Sequence, residues 1–211
     1  MSTSTVCRSE LILGGQKSGK SRRAEMLARS WLAASPGHRA VLIATAQAWD
    51  DEMRARIHRH QQDRALRVPG MVTAEEPLAL AEAIGRYSQP DTLVVVDCLT
   101  LWLTNRLMPA DSAQNQPLSP VDRADTATFL GVIGTTPGPL VLVGNEIGLG
   151  VIPLGEQVRA FIDALGQLNQ DVARRCQRVT LMVAGLPLTV KKAFASHTGR
   201  LVQTGIDLSA E

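Results

Sequence analysis

Gly14-Gly15-Gln16-Lys17-Ser18-Gly19-Lys20-Ser21 satisfies the pattern G-x-x-x-x-G-K-[ST] without a mismatch. It follows an apolar run that ends at Leu13 and opens a segment, Ser18–Ala34, with a helical pattern. That strand–loop–helix setting is the context in which the pattern binds phosphate. Glycines let the main chain approach the anion, so N–H groups at a helix N-terminus surround its oxygens. Lys20 is placed to reach the terminal phosphates, as a catalytic group, and Ser21 to offer its hydroxyl to Mg2+. All eight residues are candidate nucleotide ligands.

Working outward, apolar β-rich runs recur at Val6–Leu13, Val41–Ala46, Thr92–Cys98, Leu140–Gly144 and Val179–Ala184, with a weaker one at Met71–Ala74. Several are continuous in Val, Leu and Ile, as strands covered on both faces are. Helical patterns lie between them, at Asp51–Leu66, Pro77–Tyr87, Leu99–Met108, Val121–Val132 and Gly155–Cys176. Such alternation predicts an α/β fold, a mostly parallel sheet flanked by helices. Pro109–Pro120 reads as a surface loop. We divide the chain into an N-terminal extension (1–10), one nucleotide-binding catalytic domain (11–192) and a C-terminal tail (193–211).

Composition narrows the function classes. Aromatic residues are 3% of the 211 residues, too few for a surface that stacks single-stranded bases, and the formal net charge is only +2. No nucleic-acid partner is expected. No apolar run reaches the roughly 18 residues of a membrane span. The three cysteines, Cys7, Cys98 and Cys176, lack metal or redox spacing and read as buried reduced thiols of a cytoplasmic protein.

Two further features accompany the phosphate loop. Asp97 ends the apolar run Leu93-Val94-Val95-Val96, where a carboxylate can serve Mg2+ or another part of the nucleotide; it would equally cap the helix that begins at Leu99. The segment Asp50–Arg64 begins acidic and ends basic, which complements a helix dipole. At about 100° per residue, Met53, Ile57, His60 and Arg64 share a face and His58 points away. With Met53 and Ile57 anchoring that face, His60 and Arg64 are expected to point inward, with Arg56 one turn before His60. Such a face suits a structural histidine or a functional one beside phosphate-binding arginines.

The blocks Gly14–Ser21, Ile43–Gln47, Asp50–Arg64, Val96–Asn105, Asn145–Pro153 and Ala184–Pro187 together resemble the bifunctional adenosylcobinamide kinase/adenosylcobinamide-phosphate guanylyltransferase family of cobalamin synthesis. The resemblance spans roughly Leu11 to Lys191. It implies a RecA-like P-loop NTPase fold, a homo-oligomer (often a trimer), and ATP and GTP as substrates. Adenosylcobinamide would be phosphorylated first. GMP would then pass from GTP, through a histidine, to adenosylcobinamide phosphate. The guanylylated histidine falls on His60 within Arg56-Ile57-His58-Arg59-His60-Gln61-Gln62-Asp63-Arg64. Nucleotide contacts fall on the phosphate loop, Thr45, Ala46, Gln47, Gln61, Gln62, Asp63, Arg64, Glu75 and Asp97. Arg56 joins them as a phosphate ligand. The family's W-x-T-x-E pattern appears as Met71-Val72-Thr73-Ala74-Glu75, with Met in place of Trp. A simple P-loop small-molecule kinase and a nucleotide-gated interaction protein are the alternatives.

Overall fold

The computed structural model describes residues 6–48, 50–108, 123–151 and 153–192. The expected loop Pro109–Pro120 and the tail 193–211 lie outside the described residues. Strands β1 (Ser9–Gly14), β2 (Arg39–Ala44), β3 (Met71–Glu75), β4 (Thr92–Asp97), β5 (Leu140–Val143), β6 (Arg178–Val183) and β7 (Leu186–Lys192) form a seven-stranded sheet in the order β3-β2-β4-β5-β1-β6-β7. Every pairing is parallel except that of β6 with β7. The helices are α1 (Lys20–Ala34), α2 (Asp51–Arg67), α3 (Leu80–Tyr87), α4 (Leu99–Leu107), α5 (Arg123–Thr135) and α6 (Glu156–Arg175).

Strand side chains alternate between two cores, which is why the central runs are apolar at every position. On one face Leu11, Val94, Val96, Leu140, Leu142 and Val179 pack with Leu80 and Ile84 of α3, Trp102 of α4, Phe129 of α5 and Leu168 of α6. On the other, Ile12, Leu42, Leu93, Val95, Val141 and Met182 pack with Ala24, Leu27 and Ala28 of α1. Fully burying one such side chain is worth about 1.5–3 kcal/mol. Parallel pairing carries the ends of β1 to β6 to one edge of the sheet, where ligands bind in open α/β folds. β5 lies between β1 and β4, so Asp97 stands two strands, about 10 Å, from the strand that leads into the phosphate loop. This is the RecA-like P-loop NTPase arrangement.

Two expectations change. Ser9 and Glu10, set apart above as an extension, belong to β1, and the Arg8 carbonyl accepts the Leu140 N–H. The sequence pattern missed β7, because Pro187 interrupts its alternation. Pro187 is tolerated because β7 is an edge strand. Ala184 (φ 50°) and Gly185 (φ 81°) form a two-residue hairpin turn before it. Here the left-handed backbone is adopted by an alanine and a glycine rather than by the Asn-Gly pair that announces such turns.

A buried ion cluster ties β1, α1 and β6 together. The Glu10 carboxylate, 1% exposed, accepts from Arg23 (2.9 Å), Arg178 (3.2 Å) and the Thr180 hydroxyl (2.8 Å). Removing one member leaves buried charge uncompensated. Glu10→Ala is expected to lower unfolding stability by about 3–5 kcal/mol, read from urea denaturation. A loss under 1 kcal/mol would contradict the cluster.

Candidate active site

The phosphate loop leaves β1 at Gly14, whose φ of 153° and lack of a side chain are both required. A Cβ there would meet the Met182 carbonyl and Ser18 Oγ, each at 2.6 Å. The loop is held from two sides: Gly185 donates its N–H to the Ser18 carbonyl (3.1 Å), and Glu146 donates its N–H to the Gly14 carbonyl (3.1 Å). At the start of α1, Gly19 provides no side-chain cap and the first turn holds no acid. Its free N–H groups and positive dipole end therefore favour an anion. Ser18 Oγ is buried without a partner among the described residues, beside Gly14 in the interior of the loop. Lys20 Nζ donates to the Gly15 carbonyl (2.6 Å). Burial lowers the Lys20 pKa, while Asp97 among its neighbours favours the charged form. Phosphate oxygens would supply the charge that this buried ammonium lacks.

Asp97 ends β4 at this edge and does not cap α4, which has no side-chain cap. Ser21, half-buried in the first turn of α1, offers a hydroxyl. Among the described residues no cluster of three His, Cys, Asp or Glu side chains could hold a metal by itself. A hydroxyl and a carboxylate completed by phosphate and water oxygens fit Mg2+, which keeps several waters and bridges phosphates.

Thr45 has a different task from the expected nucleotide contact. It is fully buried. Its hydroxyl donates to the Cys98 carbonyl (2.7 Å) and accepts the Cys98 N–H (2.9 Å), and Asn105 donates to its carbonyl (2.8 Å). With these groups satisfied inside the protein, Thr45 acts as a strut between the ends of β2 and β4. The block Asp97–Asn105 extends this bracing. Trp102 donates to the Leu78 carbonyl, Asn105 to Pro77, and the Thr100 hydroxyl accepts the Asn145 N–H (2.8 Å).

On α2, capped by the Asp50 carboxylate on the Met53 N–H, the inward stripe runs through Met53, Ile57, Gln61 and Arg64. His60 is exposed at the border of that stripe, so the expectation that it points inward is corrected. The phase is set by Arg64, which is 8% exposed, donates to the Thr73 hydroxyl (2.8 Å) and lies 4.0 Å from Glu25. Arg67 completes this clamp with a 2.7 Å pair to Glu25. Arg64 is thus a fastener between α1, α2 and β3 rather than a free phosphate ligand. Asp63 pairs with Arg67 at 3.1 Å, and Gln62 is exposed, so neither is drawn into a shared site with the loop. The Arg56 side chain lies outside the described residues. Ala46, Gln47, Gln61 and Glu75 do come together: with Ala48, Arg54, Ile57, His58 and Pro77 they line a cavity of about 440 Å³, and Gln61 donates to Glu75 (3.3 Å). His58, expected to point away, lines it.

A second cavity, about 530 Å³, opens between the 146–151 segment and α6, lined by Glu146, Ile147, Val151, Arg159, Ile162, Leu165, Gly166, Gln167 and Gln170 among others. The paired glycines of Asn145-Glu146-Ile147-Gly148-Leu149-Gly150 announce a special loop in the sequence. Nothing there announces that α6, which begins at Glu156, supplies the facing wall. Arg159 donates to the Pro153 and Leu154 carbonyls and so fastens the segment's return to α6.

Residues 10–190 match the family described as cobinamide kinase / cobinamide phosphate guanyltransferase. The bifunctional adenosylcobalamin biosynthesis protein CobP of Pseudomonas aeruginosa is 46% identical over 182 residues, 86% of this chain and 96% of that protein. The CobU proteins of Escherichia coli K12 and Salmonella typhimurium LT2, also named bifunctional adenosylcobalamin biosynthesis proteins, are 33% and 34% identical, each over 86% of this chain and 98% of its own length. Among solved structures, the flagellar accessory protein FlaH of Methanocaldococcus jannaschii overlays with a TM-score of 0.47 at 10% identity, covering 88% of this chain and 78% of that one. That likeness is too remote to carry weight.

Cys98, beside Asp97, reports on the integrity of this edge. Burial, reinforced by the Asp97 carboxylate, pushes its thiol up to about 11, and burial pushes Cys176 up to about 12. Cys7, expected to be buried, is only half-buried. At pH 8 the reactive thiolate of Cys98 and Cys176 is nearly absent. A disulfide reagent at pH 8 is therefore expected to modify Cys7 first in the native chain and all three thiols after unfolding. Prompt native modification of Cys98 would contradict its placement.

Proposed function

Because the chain belongs to the cobinamide kinase / cobinamide phosphate guanyltransferase family, and is therefore a kinase and nucleotidyltransferase of cobalamin biosynthesis, we propose that one phosphate loop serves both of its reactions. The observation that carries this reading is the single sheet edge. Along it stand the Gln61–Glu75 cavity, Asp97, the Glu146 groove and the phosphate loop. In the first reaction an ATP or GTP γ-phosphoryl group passes to the hydroxyl of adenosylcobinamide. In the second, GMP passes from GTP to adenosylcobinamide phosphate, with release of pyrophosphate. Both transfers demand positioning and neutralised phosphate charge, which Lys20, Ser18 and the loop amides provide. Mg2+, held by Ser21 and Asp97, would supply further neutralisation of the phosphates when bound.

The nucleotidyl step is read as two displacements. A His60 imidazole nitrogen bonds to the α-phosphorus of GTP, and the bond from that phosphorus to the bridging oxygen breaks as pyrophosphate leaves. An oxygen of the cobinamide phosphate then takes the GMP and frees the imidazole. The pattern R-I-x-x-H-x-x-x-R supports His60. The placement of His58 in the Gln61–Glu75 cavity favours a second reading in which His58 is the acceptor. Three unpaired thiols suit a reducing compartment, in keeping with a cytoplasmic enzyme. Among the described residues no helix is long and apolar enough to cross a membrane.

We read the enzyme as a homotrimer. Support for self-association comes from apolar side chains held in water at the Glu146 end of the sheet. Val151 and Leu154 are each 97% exposed, and Leu149, Leu186 and Leu188 are exposed too. Such a concentration marks an interaction surface.

Two measurements test the acceptor histidine and the assembly. His60→Ala is expected to abolish protein labelling by α-labelled GTP while cobinamide phosphorylation persists, and His58→Ala to retain labelling. The reverse result moves the acceptor to His58, and labelling in both variants removes the covalent intermediate. Sedimentation is expected to give about three times the chain mass, and a monomer would refute the assembly.

A further inference from the structure

We propose that the groove between residues 146–151 and α6 receives the alcohol arm and adjoining ring edge of the corrinoid acceptor, and that the Glu146 carboxylate takes the hydroxyl proton in the kinase step. This rests on the cobinamide kinase reading above and assigns it an acceptor subsite and a base. The position of Glu146 carries the argument. Its N–H is bonded to Gly14, the first residue of the phosphate loop (3.1 Å). The preceding residue, Asn145, is pinned by Thr100 of α4 (2.8 Å) and by Asn169 of α6, which donates to its carbonyl (3.0 Å). The backbone at 145–146 is thus held from three elements and abuts the first residue of the phosphate loop, while Glu146 lines the groove. Its Oε1 accepts the Gly148 N–H (3.2 Å), which turns the carboxylate along the loop.

The groove's chemistry fits a corrin rim, which alternates methyl groups with carboxamides. Ile147, Ile162 and Leu165 offer apolar contact, and Gln167 and Gln170 can exchange hydrogen bonds with amides. At about 530 Å³ it admits an edge and an arm of the macrocycle, not the whole. Gly166 supports a kept opening. A glycine inside a helix weakens it relative to alanine, yet a Cβ at Gly166 would meet nothing within 4 Å. The missing side chain widens the groove and relieves no clash.

In the step itself, the acceptor oxygen forms a bond to the γ-phosphorus. The bond from that phosphorus to the β,γ-bridging oxygen breaks, and its electron pair leaves with the nucleoside diphosphate. The hydroxyl proton moves to Glu146 and from there to water. Asp97 ends β4 and is assigned above to Mg2+ on the phosphate side.

The experiment compares the full-length wild type with Glu146→Gln and Gly166→Leu. Cobinamide phosphorylation is measured across pH, and labelling by α-labelled GTP is measured separately. Glu146→Gln is expected to lower the kinase kcat by about 10²–10³-fold, to remove the acidic limb of its pH profile, and to leave protein labelling intact. Gly166→Leu is expected to raise the cobinamide KM at least about tenfold with the NTP KM unchanged. A Glu146→Gln kcat within a few fold of wild type overturns the base, as does equal loss of phosphorylation and labelling. An unchanged cobinamide KM in Gly166→Leu overturns the groove, and that variant decides the groove even if Glu146→Gln fails to fold. A wild type that phosphorylates no cobinamide refutes the underlying family-based reading instead.

Discussion

The contact between the Gly14 carbonyl and the Glu146 N–H joins the exits of β1 and β5, and the geometry of the sheet edge depends on it. It works only because Gly14 carries no side chain. The space a Cβ would need is taken by the Met182 carbonyl and by Ser18 Oγ, so β6 and the loop's own interior press on the same residue. The Gly185 N–H closes the arrangement from the hairpin side. The phosphate loop is therefore clamped between its two sheet neighbours before any anion arrives. Preorganisation of this kind keeps the cost of ordering out of the reaction.

Around that clamp runs a set of buried and half-buried hydrogen bonds whose members are far apart in sequence. Thr45 bridges to Cys98, Asn105 to Thr45 and Pro77, Thr100 to Asn145, and Asn169 to Asn145. A buried polar group without a partner costs roughly 1–3 kcal/mol, so each of these bonds strongly favours one arrangement of the strand ends. The loops of an α/β edge are usually its most variable parts. Here their first residues are fixed and only their outer portions, such as 147–151, are left in water.

Much of this architecture was readable in advance, for identifiable reasons. The phosphate loop depends on eight consecutive residues, and β4 and β5 are apolar because both faces are covered, so local pattern sufficed for each. The inward face of α2 was readable at Met53, Ile57 and Arg64, and only its fourth member was not: Arg64 reaches Glu25 and Thr73, partners on α1 and β3, and Gln61 rather than His60 turns inward beside it. Thr45 was named a ligand through the family resemblance, and its bracing role was hidden because its partners Cys98 and Asn105 lie 53 and 60 residues away. β7 hid behind Pro187, whose tolerance depends on a strand being at the edge, a fact of topology rather than of composition. The Gly166 opening was invisible because a helical glycine acquires meaning only from what lies opposite.

The edge position of β7 has one more consequence. The strand carries Pro187, which has no donor to offer, and its pairing with β6 is irregular opposite Val179 and Thr180. Such a rim is a poor template for another strand. A further strand therefore cannot readily add to the sheet at this edge.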